Sequence, residues 1–150
     1  MIATVPSMIG QFNMANIDIL QSIGYEVHVA CNFDDRSVWT EERVDEFIEQ
    51  LNSLEIKRYQ IDFARSPKHV GKIAKSYKQI KQLLFYEKYA LVHVHTPVAA
   101  AEVRLAAKDY NDAIDRRSKE GKPVPGRLKV IYTAHGFHFY DGAPKKNWIL

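Results

Sequence analysis

Apolar positions along the chain recur with two different periods. Met1 to Val5 is a short apolar run closed by Pro6 and Ser7, the pattern of a buried strand running into a loop. Between Asn13 and Ile23, the residues Met14, Ile17, Leu20 and Ile23 follow helical spacing, and Gly24 stands where a helix C-terminus favours glycine. Tyr25 to Cys31 reads as a second strand and Asn32 to Thr40 as a polar loop. Val44, Phe47, Ile48 and Leu51 mark an amphipathic helix over Glu41 to Asn52. Ile56 to Phe63 is a third, more alternating strand, and Ala64 to Pro67 a loop. A helix over Lys68 to Glu87 is expected to turn Val70, Ile73, Tyr77, Ile80 and Leu84 inward. Ala90 to His95 is the fourth strand. Thr96 and Pro97 suit the cap and first turn of an alanine-rich helix over Val98 to Arg117. Lys119 to Arg127, with two prolines and two glycines, is a loop before a fifth strand over Leu128 to Ala134.

Strands alternating with helices predict a parallel sheet covered on both faces. Right-handed crossovers then give an α/β fold, a Rossmann-like doubly wound parallel sheet. Such sheets bind ligands outside the carboxyl ends of their strands. Those ends carry His95, Thr96, His135, Gly136 and His138, together with the loop Pro6 to Phe12.

Composition narrows the class. A chain of 150 residues, 46% hydrophobic and 26% charged, is enough for one soluble domain with a core. The net charge of +3 is too weak to argue for nucleic acid. The single cysteine, Cys31, excludes an intrachain disulfide and suits a reducing cytoplasm. No apolar run approaches the ~20 residues of a membrane span. The first strand begins at residue 1 and the closing NWIL stops inside an apolar segment, so the chain is expected to be a piece of a longer protein, truncated at both ends.

Four of the six histidines lie in or just after two strand-like runs: His93 and His95 in LVHVHTP, His135 and His138 in YTAHGFHFYDG. They could be metal ligands, catalytic groups or packing. Four imidazoles would suffice for zinc. However, His93 and His95 share a strand face that a helix should cover near His93, and no cysteine or carboxylate accompanies them at ligand spacing, so no metal is expected. His28, inside the second strand, is assigned to structure. PSMIGQFN has one glycine and no P-loop lysine, a weak anion-site signal against the plainer reading of a βα turn. Asp34 and Asp35 could hold a ribose only with a glycine pattern that is missing. Lys68, Lys72, Lys75 and Lys78 share one side of their helix, either a solvated face or one attracted to an anionic membrane surface.

Taken together, ATVPSMIGQFN, the RSP of Arg65 to Pro67, LVHVHTPVAAAEVRLAAK and KVIYTAHGFHFYDGAPKKNWIL resemble bacterial glycosyltransferases of family 4, in particular those building capsular and extracellular polysaccharides. The resemblance covers nearly the whole chain. It implies one of the two Rossmann-like domains of a GT-B architecture, here the N-terminal, acceptor-side domain over residues 1–150. The donor-binding domain, with its paired-glutamate signature, would follow. The implied reaction is retaining transfer from a nucleotide sugar to a glycan acceptor, carried on a polyprenyl diphosphate, with no cofactor. His135 matches the histidine such enzymes set beside the transferred sugar. The remaining substrate contacts implied are Ser7, Gly10, Gln11, Arg65, His95, Thr96, Gly136 and His138: Gly10 through close backbone approach, Arg65 through an acceptor phosphate, His138 as support. His93 is expected to be structural. The implied location is cytoplasmic, peripheral at the inner face of the membrane. A nucleotide-sugar 2-epimerase shares the architecture, and a non-catalytic Rossmann-like module is the reading from another class. A following α/β domain with E-x₇-E would separate the transferase from the module.

Overall fold

The structure, a computed structural model, describes residues 1–64 and 69–135. Along the chain these form α1 (Pro6–Gly10), α2 (Met14–Ser22), β1 (His28–Cys31), α3 (Glu41–Ser53), β2 (Lys57–Gln60), α4 (Val70–Glu87), β3 (Leu91–Val94), α5 (Pro97–Lys119) and β4 (Lys129–Tyr132). The strand pairs are parallel: β1 with β2, from His28↔Lys57 to Cys31↔Gln60, and β3 with β4, from Leu91↔Lys129 to Val94↔Tyr132.

The N-terminal segment joins the two pairs. Ile2 forms parallel bridges to Ala30 on one side and Val94 on the other. Its N–H donates to the His93 carbonyl at 2.8 Å, and its carbonyl accepts from the His95 N–H at 3.0 Å. On the other side the Ala3 N–H reaches the Ala30 carbonyl at 3.1 Å. The order across the layer is therefore β2, β1, the Ile2 segment, β3, β4. This is the Rossmann-like doubly wound parallel arrangement. The expected first strand is reduced to this bridge, because Pro6 has no N–H to donate and sits at the start of α1.

Side-chain alternation splits the core into two. Ile2, Ala30, Val92 and Val94 face α4 and α5, with Ile80, Leu84, Val103 and Tyr110. Ala3, Val29 and Cys31 face the opposite side, against Ile9 of α1, Ile17 of α2 and Val44, Phe47 and Leu51 of α3. Each such buried aliphatic side chain contributes about 1.5–3 kcal/mol. Small residues Ala99, Ala100, Ala106 and Ala107 are all buried along α5, which lets its backbone approach the sheet.

Local signals set several boundaries. Thr40 caps α3, its Oγ1 accepting the Arg43 N–H at 3.4 Å. Gly24 follows α2 at φ 91°, a conformation few other residues tolerate. One inward expectation fails: Val70, the first residue of α4, is 72% exposed. The buried row of α4 is Ser76, Ile80, Leu83 and Leu84.

Candidate functional site

Residues two apart in a strand share a face. His93 and His95 accordingly lie opposite Val92 and Val94. His135 lies three residues beyond β4, where the Thr133 N–H still donates to the Val94 carbonyl at 3.0 Å. Parallel pairing of β3 and β4 thus brings together residues 40 apart in sequence. Ring centroids are 4.1 Å apart for His93 and His95 and 5.3 Å for His95 and His135. Phe12, at the corner between α1 and α2, extends the row, 5.8 Å from His135.

Two hydrogen bonds hold the row. His93 Nε2 lies 2.7 Å from Thr133 Oγ1, and His95 Nδ1 lies 3.1 Å from His135 Nε2. His95 is 2% exposed, while His135 is exposed. Burial, reinforced by the neighbouring imidazoles, pushes the His95 pKa down to about 3. Burial lowers His93 as well. His95 is therefore neutral at pH 7. Its Nε2 is buried and has no partner among the described residues. The expectation that a helix covers His93 is corrected. Its ring is half-buried, and neighbouring Ile131 on the same face is 49% exposed. Among the described residues no group of three or more His, Cys, Asp or Glu is disposed to hold a metal.

The other expected site residues fare differently. Thr96 does not cap α5 with its side chain; its Oγ1 accepts the Thr4 N–H at 3.1 Å and so ties the N-terminal turn to the end of β3. The expected loop over Pro6 to Phe12 is largely the helical turn α1, with proline preset at its first position. The Gln11 N–H is spent on the Ser7 carbonyl at 3.0 Å. Ser7 is buried and Gln11 exposed. Gly10 does allow a close approach, but to this protein's own core. A Cβ there would stand 2.4 Å from Trp39 and 3.2 Å from Phe47. Arg65, Gly136 and His138, along with Lys68, lie outside the described residues. Lys72, Lys75 and Lys78 are exposed, and Lys75 pairs with Asp62 at 2.6 Å.

Sequence reasoning missed Thr133 and the aromatic contact of Phe12. Only the five-strand order, which sets Thr133 beside His93, hinted at the first. It also missed an open cleft at the carboxyl ends of β1 and β2, lined by Asp34, Asp62, His69, Lys72 and Lys75 among others. Asp34 there accepts from the Gln60 side chain at 3.2 Å.

Comparison with known proteins gives the family of the chain. The model for Glycosyltransferase Family 4 matches residues 18–150. A protein of Bacillus subtilis (strain 168), "Putative glycosyltransferase EpsD", is 33% identical over 148 residues, which is 99% of this chain and 31% of that protein. The chain thus spans about a third of the length of this curated relative. No solved structure matches significantly. A family match over residues 18–150, on a Rossmann-like parallel layer, establishes that the chain belongs to glycosyltransferase family 4.

Proposed function

We propose that the chain is the N-terminal, acceptor-side domain of a retaining glycosyltransferase of polysaccharide biosynthesis. The observation that carries this reading is the His95–His135 pair at the carboxyl ends of β3 and β4, in a chain of this family. The donor would be a nucleotide sugar, held mainly by a second domain. As its bond to the anomeric carbon breaks, the diphosphate takes the electron pair and an oxocarbenium-like centre forms. The acceptor hydroxyl then enters from the same face and passes its proton to the departing diphosphate. His135, the exposed member of the row, would contact the sugar during this step. A preorganised hydrogen bond of this kind is worth most in a site from which water is excluded.

The acceptor would be a glycan on a polyprenyl diphosphate. Arg65 would pair with its phosphate, because a planar guanidinium matches phosphate oxygens. Lys72 and Lys78, exposed on α4, would favour the anionic inner face of the membrane. Among the described residues no helix is long and apolar enough to cross it.

The test is a transfer assay on the full-length protein with nucleotide-sugar donors and a lipid-linked glycan acceptor. The reading predicts acceptor-dependent transfer with the anomeric configuration kept. Residues 1–150 alone should not turn over. Interconversion of the free nucleotide sugar without acceptor would instead select a 2-epimerase, and turnover by residues 1–150 alone would contradict the division into domains.

A further inference from the structure

The contacts of the histidine row bear on a feature that the family match does not: which ring nitrogens carry the protons. His95 is neutral, so its ring has one N–H, either at Nδ1 or at Nε2. Nδ1 faces His135 Nε2 at 3.1 Å, and Nε2 is buried without a partner among the described residues. The two tautomers differ in what they leave unsatisfied. With the proton on Nε2, the buried orphan is a donor, at a cost of about 1–3 kcal/mol. With the proton on Nδ1, the orphan is a lone pair; among buried backbone groups an unpaired acceptor is found somewhat more often than an orphaned N–H, and we carry that preference over to the ring. The second arrangement is the one adopted. Nδ1–H of His95 then donates to His135 Nε2, which must be the unprotonated nitrogen of its own ring. The remaining proton of His135 is left on Nδ1.

We propose that His95 is a positioning residue which, by donating from Nδ1 to His135 Nε2, holds His135 as the Nδ1–H tautomer and so makes it a hydrogen-bond donor at its other ring nitrogen, Nδ1. His95 itself is too buried to touch a substrate. His93 supports the arrangement by packing its tilted ring against His95 while its own Nε2 is engaged with Thr133. Donation from His135 suits an oxygen acceptor, a sugar hydroxyl or the departing phosphate oxygen, and does not suit a base that removes the acceptor proton. Only this last step rests on the proposed transferase reading; the tautomer does not.

The experiment is a long-range ¹H–¹⁵N correlation spectrum of the protein labelled with ¹⁵N-histidine, with His135 assigned by its loss in His135→Gln. The expected result is a His135 ring protonated at Nδ1 at neutral pH. An Nε2–H ring, or averaged shifts of a tautomer mixture, would overturn the proposal in the wild-type protein, with no variant needed. His95→Asn, which offers a side-chain N–H near the former Nδ1, should retain the Nδ1–H form. His95→Asp offers an acceptor instead and should move the His135 proton to Nε2. A His135 tautomer unchanged in folded His95→Asp would show that His95 does not set it. Because the readout needs no turnover, a failed transfer assay leaves this result standing, and a failed spectrum leaves the transferase reading standing.

Discussion

His28 and His95 are both buried strand histidines, 8% and 2% exposed, yet their surroundings are opposites. His28 opens β1, at the amino ends of the strands. Its Nδ1 lies 2.7 Å from the Tyr89 hydroxyl and its Nε2 2.9 Å from Glu26, with Lys57 on the same carboxylate at 2.8 Å. Both ring nitrogens are used, and the partners are used in turn. His95 follows β3, at the carboxyl ends. One of its nitrogens meets another histidine, which is exposed, and the other meets nothing among the described residues. A finished hydrogen-bond inventory is what a structural histidine needs. An unfinished one next to an exposed ring is stability given up, and the loss falls where doubly wound sheets bind ligands. The contrast separates two residues that composition alone would treat alike.

The sharpest way to break the comparison is to remove the finished member. His28→Ala strands the Tyr89 hydroxyl and takes away two hydrogen bonds, so unfolding free energy should fall by about 2–3 kcal/mol. Urea denaturation measures it. A change under about 0.5 kcal/mol would make His28 as dispensable as a surface residue. Gly10→Ala should cost somewhat less, about 1–2 kcal/mol, because the new methyl must displace the Trp39 and Phe47 rings. A stabilised variant would mean that α1 shifts freely on α3.

A third expectation concerns pH. The folded pKa of His95 lies near 3, below the ordinary value of 6.5, so between those values the unfolded chain binds the extra proton. Stability should therefore fall as pH drops from about 6.5 toward 3, with this group adding up to about 1.4 kcal/mol per pH unit. The difference in slope between the protein and His95→Asn isolates that share from the carboxylates. Equal slopes would mean that His95 is protonated in the folded state.

Much of this fold was legible because its signals are local. Gly24 closes α2 through a contact a few residues away, and the alternation of strands and helices placed β3 and β4 side by side. The misreadings share a different cause. Thr96 looks like a cap, but its hydroxyl serves Thr4, 92 positions earlier. Gly10 looks like room for a ligand, but the room is filled by Trp39, and nothing within the loop's own sequence announces that. Val70 fits the helical period and still faces solvent, because period tells which side a residue is on and not where the covering helix begins. For the histidines, strand order was enough to bring His95 and His135 to one place. Which nitrogens meet, and which one is stranded, depends on ring orientation and burial that only three-dimensional packing supplies.

The proposed division of roles assigns His135 to the reaction and His28 to the fold. It is tested most directly by measuring melting temperature and kcat together for His135→Ala in the full-length enzyme. His135 is exposed and outside the core, so the variant should melt within a few degrees of the wild type, as for a surface substitution. Its kcat should fall about 10²–10³-fold, the size of one lost transition-state hydrogen bond worth roughly 2.7–4 kcal/mol. A folded His135→Ala enzyme with near-normal kcat would contradict the claim and return the histidine row to packing.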